Sequence, residues 1–271
     1  MELTNIEHIK LYKIKEQEGN FNDEINPIDW NDCYPVTKDF PYINKNPFRA
    51  IKYWLYRTFM ITPFTKKLVK KHNIKVIGEE NLAGIKSAII TCNHFYIFDC
   101  LAIRHAIKNH KHKYIVAEFN NRKGSLGEYM RADGIMPLSQ NYSVQKELNK
   151  AITHHLKKGN FIVCYPEQAM WYMYKKPRPF KNGAFHYAVK NNVPIIPMFI
   201  TLSDQTIKDT DGLPIQNLTV HIMKPIYKDD SKTDHENIKE MKEKNYNMCK
   251  DIYEKTYNTP LVFNTKTEAK W

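Results

Sequence analysis

A chain of 271 residues is long enough for one large domain or a domain with an extension, and its 42% hydrophobic content excludes intrinsic disorder. The formal net charge of +12 calls for an acidic partner, and both nucleic acid and anionic lipid satisfy it. Five scattered cysteines with no Cys-x-x-Cys pair argue against a disulfide framework and for reduced thiols in a cytosolic setting.

The start, Met1-Glu2-Leu3-Thr4-Asn5, is polar and acidic, so no cleaved leader is expected. Residues 1–47 stay polar, with Trp30, Tyr34 and Tyr42 among prolines and asparagines, and read as an ordered extension. Phe48, Ile51, Leu55 and Phe59 then recur at helical spacing, flanked by Trp54 and Tyr56 and by Arg49, Lys52 and Arg57. Pro63 is expected to stop this helix, and Lys66, Lys67, Lys70 and Lys71 follow. Such a face suits a helix lying in a lipid interface or one packed on a core, and the spacing by itself favours the core. No run approaches 18 apolar residues, so no membrane-spanning helix is expected.

Beyond residue 72 the elements alternate. Strands are expected at Lys75 to Ile77, Ser87 to Thr91, Tyr114 to Phe119 and, opened by a glycine, Gly134 to Leu138. Val144, Leu148, Ile152 and Leu156 mark a helix ended by Gly159 and Asn160. A strand from Phe161 to Tyr165, a helix from Ala184 to Lys190 and strands at Ile195 to Thr201 and Thr219 to Ile222 follow. Ile238, Met241, Met248 and Ile252 then mark a covering helix. The pattern predicts an α/β fold with a mixed, largely parallel sheet flanked by helices. Residues 1–72 form an N-terminal extension with its contact helix, and 73–271 the main domain.

The chemistry concentrates after the strand that ends at Thr91, in Cys92-Asn93-His94-Phe95-Tyr96-Ile97-Phe98-Asp99. A histidine followed, after four residues, by an aspartate near the start of a helix supplies a base and its orienting carboxylate. A neutral imidazole takes the proton of a hydroxyl as that hydroxyl attacks a thioester carbonyl, and a carboxylate on the other ring nitrogen fixes the tautomer. Acyl transfer to a hydroxyl needs this pair and no serine nucleophile. The competing reading is an acid placed in a first helical turn for dipole reasons.

Three further blocks follow in order: Gly134-Ile135-Met136-Pro137-Leu138, Phe161 to Glu167 ending in Tyr165-Pro166-Glu167, and Val193-Pro194-Ile195-Ile196-Pro197. With Asn93, His94 and Asp99, and with Phe180-Lys181-Asn182-Gly183-Ala184, the series resembles the glycerolipid acyltransferase family over about residues 73 to 226. The family's blocks read Asn-His then Asp, a Gly-Ile strand ending in Arg, Phe-Pro-Glu-Gly-Thr-Arg, and Val-Pro-Ile-x-Pro. The resemblance implies a fatty acyl group passed from a thioester to a lipid hydroxyl, with His94 as base and Asp99 as its orienter. It also implies that Asn93, Gly134, Glu167 and Gly183 border the substrate, with Glu167 in the acceptor pocket. Backbone N–H groups near the start of the helix carrying Asp99 are expected to meet the developing oxyanion.

Two departures bear on the acceptor. Gln140 stands where the second block ends in arginine, and Gln168-Ala169-Met170 where the third reads Gly-Thr-Arg. In the family both arginines are assigned to the acceptor's phosphate, and neither glutamine nor methionine reproduces their bidentate contact. Lys175, Lys176, Arg178 and Lys181, in a loop stiffened by Pro177 and Pro179, are the replacements if the acceptor is lysophosphatidate. A solvated basic loop is the alternative. A sugar or glycolipid acceptor then follows, or a basic lipid-binding or nucleic-acid-binding protein that has kept the fold without catalysis.

The resemblance further implies acyl-CoA or acyl carrier protein as co-substrate, no other cofactor, and a peripheral position on the cytoplasmic face of a membrane. It favours the interfacial reading of the Phe48 to Ile61 helix, and no nucleic acid is expected as partner. Cys92 and Cys164 adjoin the site blocks but read as small buried hydrophobes. His110, His112, His154 and His155 read as surface residues, and His94 and Asp99 lack further ligands at metal-binding spacing.

Overall fold

The computed structural model describes residues 3–266; Met1 and Glu2, part of the polar start, lie outside the described residues. Seven strands form one sheet in the order β1-β7-β6-β2-β5-β3-β4. They are β1 (Lys75–Ile77), β2 (Ala88–Thr91), β3 (His112–Val116), β4 (Ile135–Pro137), β5 (Phe161–Cys164), β6 (Ile195–Lys208) and β7 (Pro214–Ile222). Every pairing is parallel except β6 with β7. The fold is therefore the mixed, largely parallel α/β sheet expected.

The strands were legible because a sheet covered on both faces buries every residue of its central strands. Ala88 to Thr91 and Phe161 to Cys164 are buried throughout. Successive side chains serve opposite cores. Ile89, Ile162 and Ile195 join α6 (Tyr142–Lys157), α7 (Gly183–Asn191) and α8 (Asp234–Tyr257), whereas Ile90, Val163 and Ile196 join α3 (Thr62–Lys71) and α4 (Asp99–Ala106). A further helix, α5 (Gly124–Asp133), leads into β4.

The structure corrects three local expectations. Pro63 does not stop the helix after Phe48: α2 (Pro47–Tyr56) runs through a π-helical turn, Arg57–Ile61, directly into α3. The Thr62 N–H reaches back five residues to the Arg57 carbonyl, and this wider turn lets the helix continue past Pro63, which has no N–H to donate. The strand expected from Thr219 begins at Pro214, and its partner runs on to Lys208, making a long hairpin whose outer part is largely exposed. His155 is buried rather than on the surface, its Nε2 2.8 Å from the Tyr42 carbonyl.

The extension contains α1 (Asn5–Glu18), opened by a capping box between Thr4 and Glu7. Its inward stripe is polar: His8, Tyr12 and Glu16 face the protein at i, i+4 and i+8, while Ile6, Leu11 and Ile14 are exposed. Tyr12 stacks on Trp171, and Phe21 packs on Trp171 and Phe263, so the extension forms a small third core with the segment after β5.

No residue of α2 is buried. Phe48, Ile51, Trp54, Leu55, Phe59, Met60 and Phe64 form an exposed apolar run along α2, the π turn and α3. Among the described residues no helix is long and apolar enough to cross a membrane.

Candidate active site

The parallel strands β2, β5, β3 and β4 all point their C-terminal ends to one edge of the sheet, where the loops after them meet. The loop after β2 is held there by Asn93. Its side chain donates to the Ile200 carbonyl at 3.0 Å and accepts the Ile200 N–H at 2.8 Å, extending the β2–β6 ladder past Thr91. With both ends of its amide engaged and 2% exposure, Asn93 builds the loop and is not available to a substrate.

His94 and Asp99 form a dyad, with Nδ1 to Oδ2 at 2.8 Å. Asp99 is 1% exposed and the His94 side chain 23%, so the pair opens to solvent through the imidazole alone. Nδ1 donates to the carboxylate, which leaves Nε2 as the basic nitrogen of the neutral ring. The same Oδ2 accepts the Phe95 and Tyr96 N–H groups at 3.0 and 3.3 Å. These two amides of the loop before α4 hold the aspartate in place.

Tyr165 completes the shell. Its hydroxyl donates to Asp99 Oδ1 at 2.7 Å, and its ring stacks on the His94 imidazole with centroids 4.1 Å apart. Burial, reinforced by the Asp99 charge, pushes the Tyr165 phenol well above its ordinary range, so it remains a donor. Burial likewise raises the thiols of Cys92 and Cys164, in keeping with inert core residues.

The His94 backbone is pinned from the segment after β5. Its N–H donates to Glu167 Oε2 at 3.2 Å, and its carbonyl accepts the Trp171 N–H at 3.1 Å and Arg178 Nη2 at 3.2 Å. Arg178 is fully buried and pairs with Glu167 at 2.8 Å; Nη1 goes to the Phe21 carbonyl, and Nη2 also to that of Ala169. Glu167 Oε1 accepts the Arg178 N–H. The acceptor contacts expected of Glu167 and Arg178 are therefore not open to them: this pair is the floor under His94.

The remaining expected contacts divide. Lys176 is bound to buried Glu16 at 2.6 Å. Lys175 lies 3.8 Å from Asp204 and over the Tyr257 ring. Lys181 is exposed, and among the described residues its side chain has no anionic partner. Gly183 is exposed at the start of α7 with nothing crowding it. Gly134 lies before β4, at the opposite end of the parallel sheet from His94, so it does not border this site. Its φ of 103° and close approach to Lys113 make it the turn between α5 and β4. Gln140 is exposed and Met170 buried.

Sequence reasoning missed the residues that the extension contributes. Asn22 Nδ2 donates to the Glu167 carbonyl at 3.0 Å, and Trp171 Nε1 to that of Asp23 at 3.1 Å. Burial raises the neighbouring Glu24 carboxyl, which also feels the charges of His94 and Arg178. No local pattern marked these residues; Tyr165, also missed, did carry a signal, a hydroxyl where the resembling block has phenylalanine. Among the described residues no group of three or more His, Cys, Asp or Glu converges as metal ligands would.

The site is thus a His–Asp dyad at the C-terminal edge of a doubly covered α/β sheet, with the imidazole as its solvent-facing group. Residues 73–201 match the family model described as Acyltransferase. The chain is 27% identical over 171 residues to the 1-acyl-sn-glycerol-3-phosphate acyltransferase of Saccharomyces cerevisiae, covering 59% of this chain and 54% of the relative. It thus spans about half the length of that relative. Its fold resembles the 1-acyl-sn-glycerophosphate (LPA) acyltransferase PlsC of Thermotoga maritima, with a TM-score of 0.57, 19% identity, and coverage of 78% of this chain and 84% of the other. The stretch matched by the Acyltransferase model is the one that carries the His94–Asp99 dyad and the segment after β5.

Proposed function

We propose that this protein transfers a fatty acyl group from an acyl thioester, acyl-CoA or acyl carrier protein, to the hydroxyl of a lysophospholipid of the lysophosphatidate type. The observation that carries this reading is the 2.8 Å bond from His94 Nδ1 to Asp99 Oδ2, with the imidazole edge left to solvent. His94 Nε2 takes the acceptor's hydroxyl proton as that oxygen bonds to the thioester carbonyl carbon. Collapse of the tetrahedral adduct breaks the carbon–sulfur bond, and the imidazolium returns the proton to the departing thiolate. Asp99 stabilises the imidazolium between these steps, and no cofactor besides the thioester enters.

The same reading puts the protein at a membrane surface, peripherally and on the cytoplasmic face. It is supported by the exposed apolar run from Phe48 to Phe64 beside Lys66, Lys67, Lys70 and Lys71. The net charge of +12 is then spent on anionic lipid and on the donor rather than on nucleic acid.

One observation favours a second acceptor class. Lys175, Lys176 and Arg178 all face carboxylates, which leaves Lys181 as the cation of that loop for a phosphate. A sugar or glycolipid hydroxyl needs no such cation. Incubating the protein with one acyl-CoA and either lysophosphatidate or a phosphate-free monoacyl glycolipid, with product mass spectrometry, separates the two. Phosphatidate as the main product supports our reading; strong preference for the phosphate-free lipid overturns it. In the first case Lys181→Gln should raise KM for lysophosphatidate about tenfold, the equivalent of one charge-assisted bond.

A further inference from the structure

The family's third block carries phenylalanine where this chain has Tyr165, and the one oxygen added by that difference lands on the dyad. Asp99 Oδ2 already accepts three bonds, from His94 Nδ1 and the N–H groups of Phe95 and Tyr96. Oδ1 accepts one, from the Tyr165 hydroxyl at 2.7 Å. The Tyr165 ring lies 4.1 Å from the imidazole at an interplanar angle of 20°, a contact that phenylalanine would keep.

We propose that Tyr165 is a positioning residue whose hydroxyl draws charge from Asp99 and so sets how strongly Asp99 holds the His94 Nδ1 proton. The inference rests on the acyl-transfer reading only for its kinetic consequence. A carboxylate that accepts a short bond from a neutral phenol is a weaker acceptor for its other donors, and the two bonds share one charge. Removing the phenol concentrates that charge on the His94 bond. The imidazolium formed during the reaction is then better stabilised, and more acid-side base is lost to protonation before turnover begins.

Other groups around the dyad are accounted for. From the same loop Glu167 and Arg178 face it as a closed ion pair. From the extension, Glu24 feels His94. From the loop after β2 and from α4, Cys92 and Cys100 feel Asp99 with thiols raised by burial, and from β3 Tyr114 donates to the Cys100 carbonyl. None of these contacts is changed by Tyr165→Phe, so a shift in that variant reports the phenol.

The test compares wild type, Tyr165→Phe and Tyr165→Leu. In Tyr165→Phe the acid limb of kcat/KM against pH should move up by about half to one pH unit, a three- to tenfold loss on that limb. KM for the acceptor should stay within about twofold. By proton NMR, the Nδ1–H resonance, assigned by its loss in His94→Ala, should move downfield in Tyr165→Phe. Tyr165→Leu, which also removes the stacked ring, should lower kcat further across the pH range. An unmoved resonance and an unmoved acid limb in folded Tyr165→Phe would overturn the proposal while leaving acyl transfer intact. If the wild type transfers no acyl group, the resonance alone still decides the role of Tyr165.

Discussion

Arg178 and Glu167 form a buried ion pair, Nη2 to Oε2 at 2.8 Å, directly beneath the His94 main chain. The guanidinium lies over the Trp171 ring, 4.6 Å from its centroid, and reaches the carbonyls of Phe21, His94 and Ala169. One side chain thus joins the extension, the loop after β2 and the segment after β5, and the position of His94 depends on all three.

Breaking one half of this pair leaves an uncompensated buried charge. Arg178→Met or Glu167→Gln should cost roughly 3–5 kcal/mol of stability, read from urea unfolding. Activity should fall with the loss of folded protein and not through KM for the acceptor. Variants that keep wild-type stability but raise KM would return the pair to the acceptor pocket.

The exposed run on α2 and α3 leads to a different outcome. Trp54 is 54% exposed and Phe59 62%, so replacing both by serine should change stability by no more than about 1 kcal/mol. Cosedimentation with vesicles should nevertheless drop several-fold. Neutralising Lys66, Lys67, Lys70 and Lys71 should abolish the preference for anionic vesicles, an effect that added salt should mimic. Unchanged cosedimentation in both variants would remove this face from membrane contact.

Stability should also depend on pH through α1. Burial, with the Arg178 charge second, lowers His8 from its ordinary value to about 4. Between that value and about 6.5 the unfolded chain binds a proton that the folded chain does not. The stability held by neutral His8 is complete above about pH 6.5 and is lost as the pH falls toward 4. His72, His112 and His155 are lowered by burial as well and act in the same direction. The urea midpoint should therefore fall from pH 7.5 to pH 5, and His8→Gln should flatten that fall. A midpoint independent of pH over this range would contradict the burial assigned to these rings.

The sheet and the dyad were readable because each is local. Fully buried parallel strands appear as short apolar runs such as Ala88 to Thr91, and His94 and Asp99 lie within one loop and the turn after it. What escaped was non-local or inverted. The partners of Lys176 and Arg178 are Glu16 and Glu167, set 160 and 11 residues away, and no spacing rule links such pairs. In α1 the inward stripe of His8, Tyr12 and Glu16 is polar and the exposed side carries isoleucine and leucine, so hydrophobic periodicity points the wrong way. The continuation past Pro63 needed a π turn, which no residue pattern announces.

The central claim is that His94, held by Asp99, is the base for acyl transfer, and its direct measurement is thiol release from acyl-CoA in the presence of lysophosphatidate. His94→Ala should lose about two to four orders of magnitude in kcat, Asp99→Asn should be comparably impaired, and the folded His94→Ala protein should keep its vesicle binding. A folded His94→Ala variant that releases thiol and forms phosphatidate at close to the wild-type rate would contradict the account.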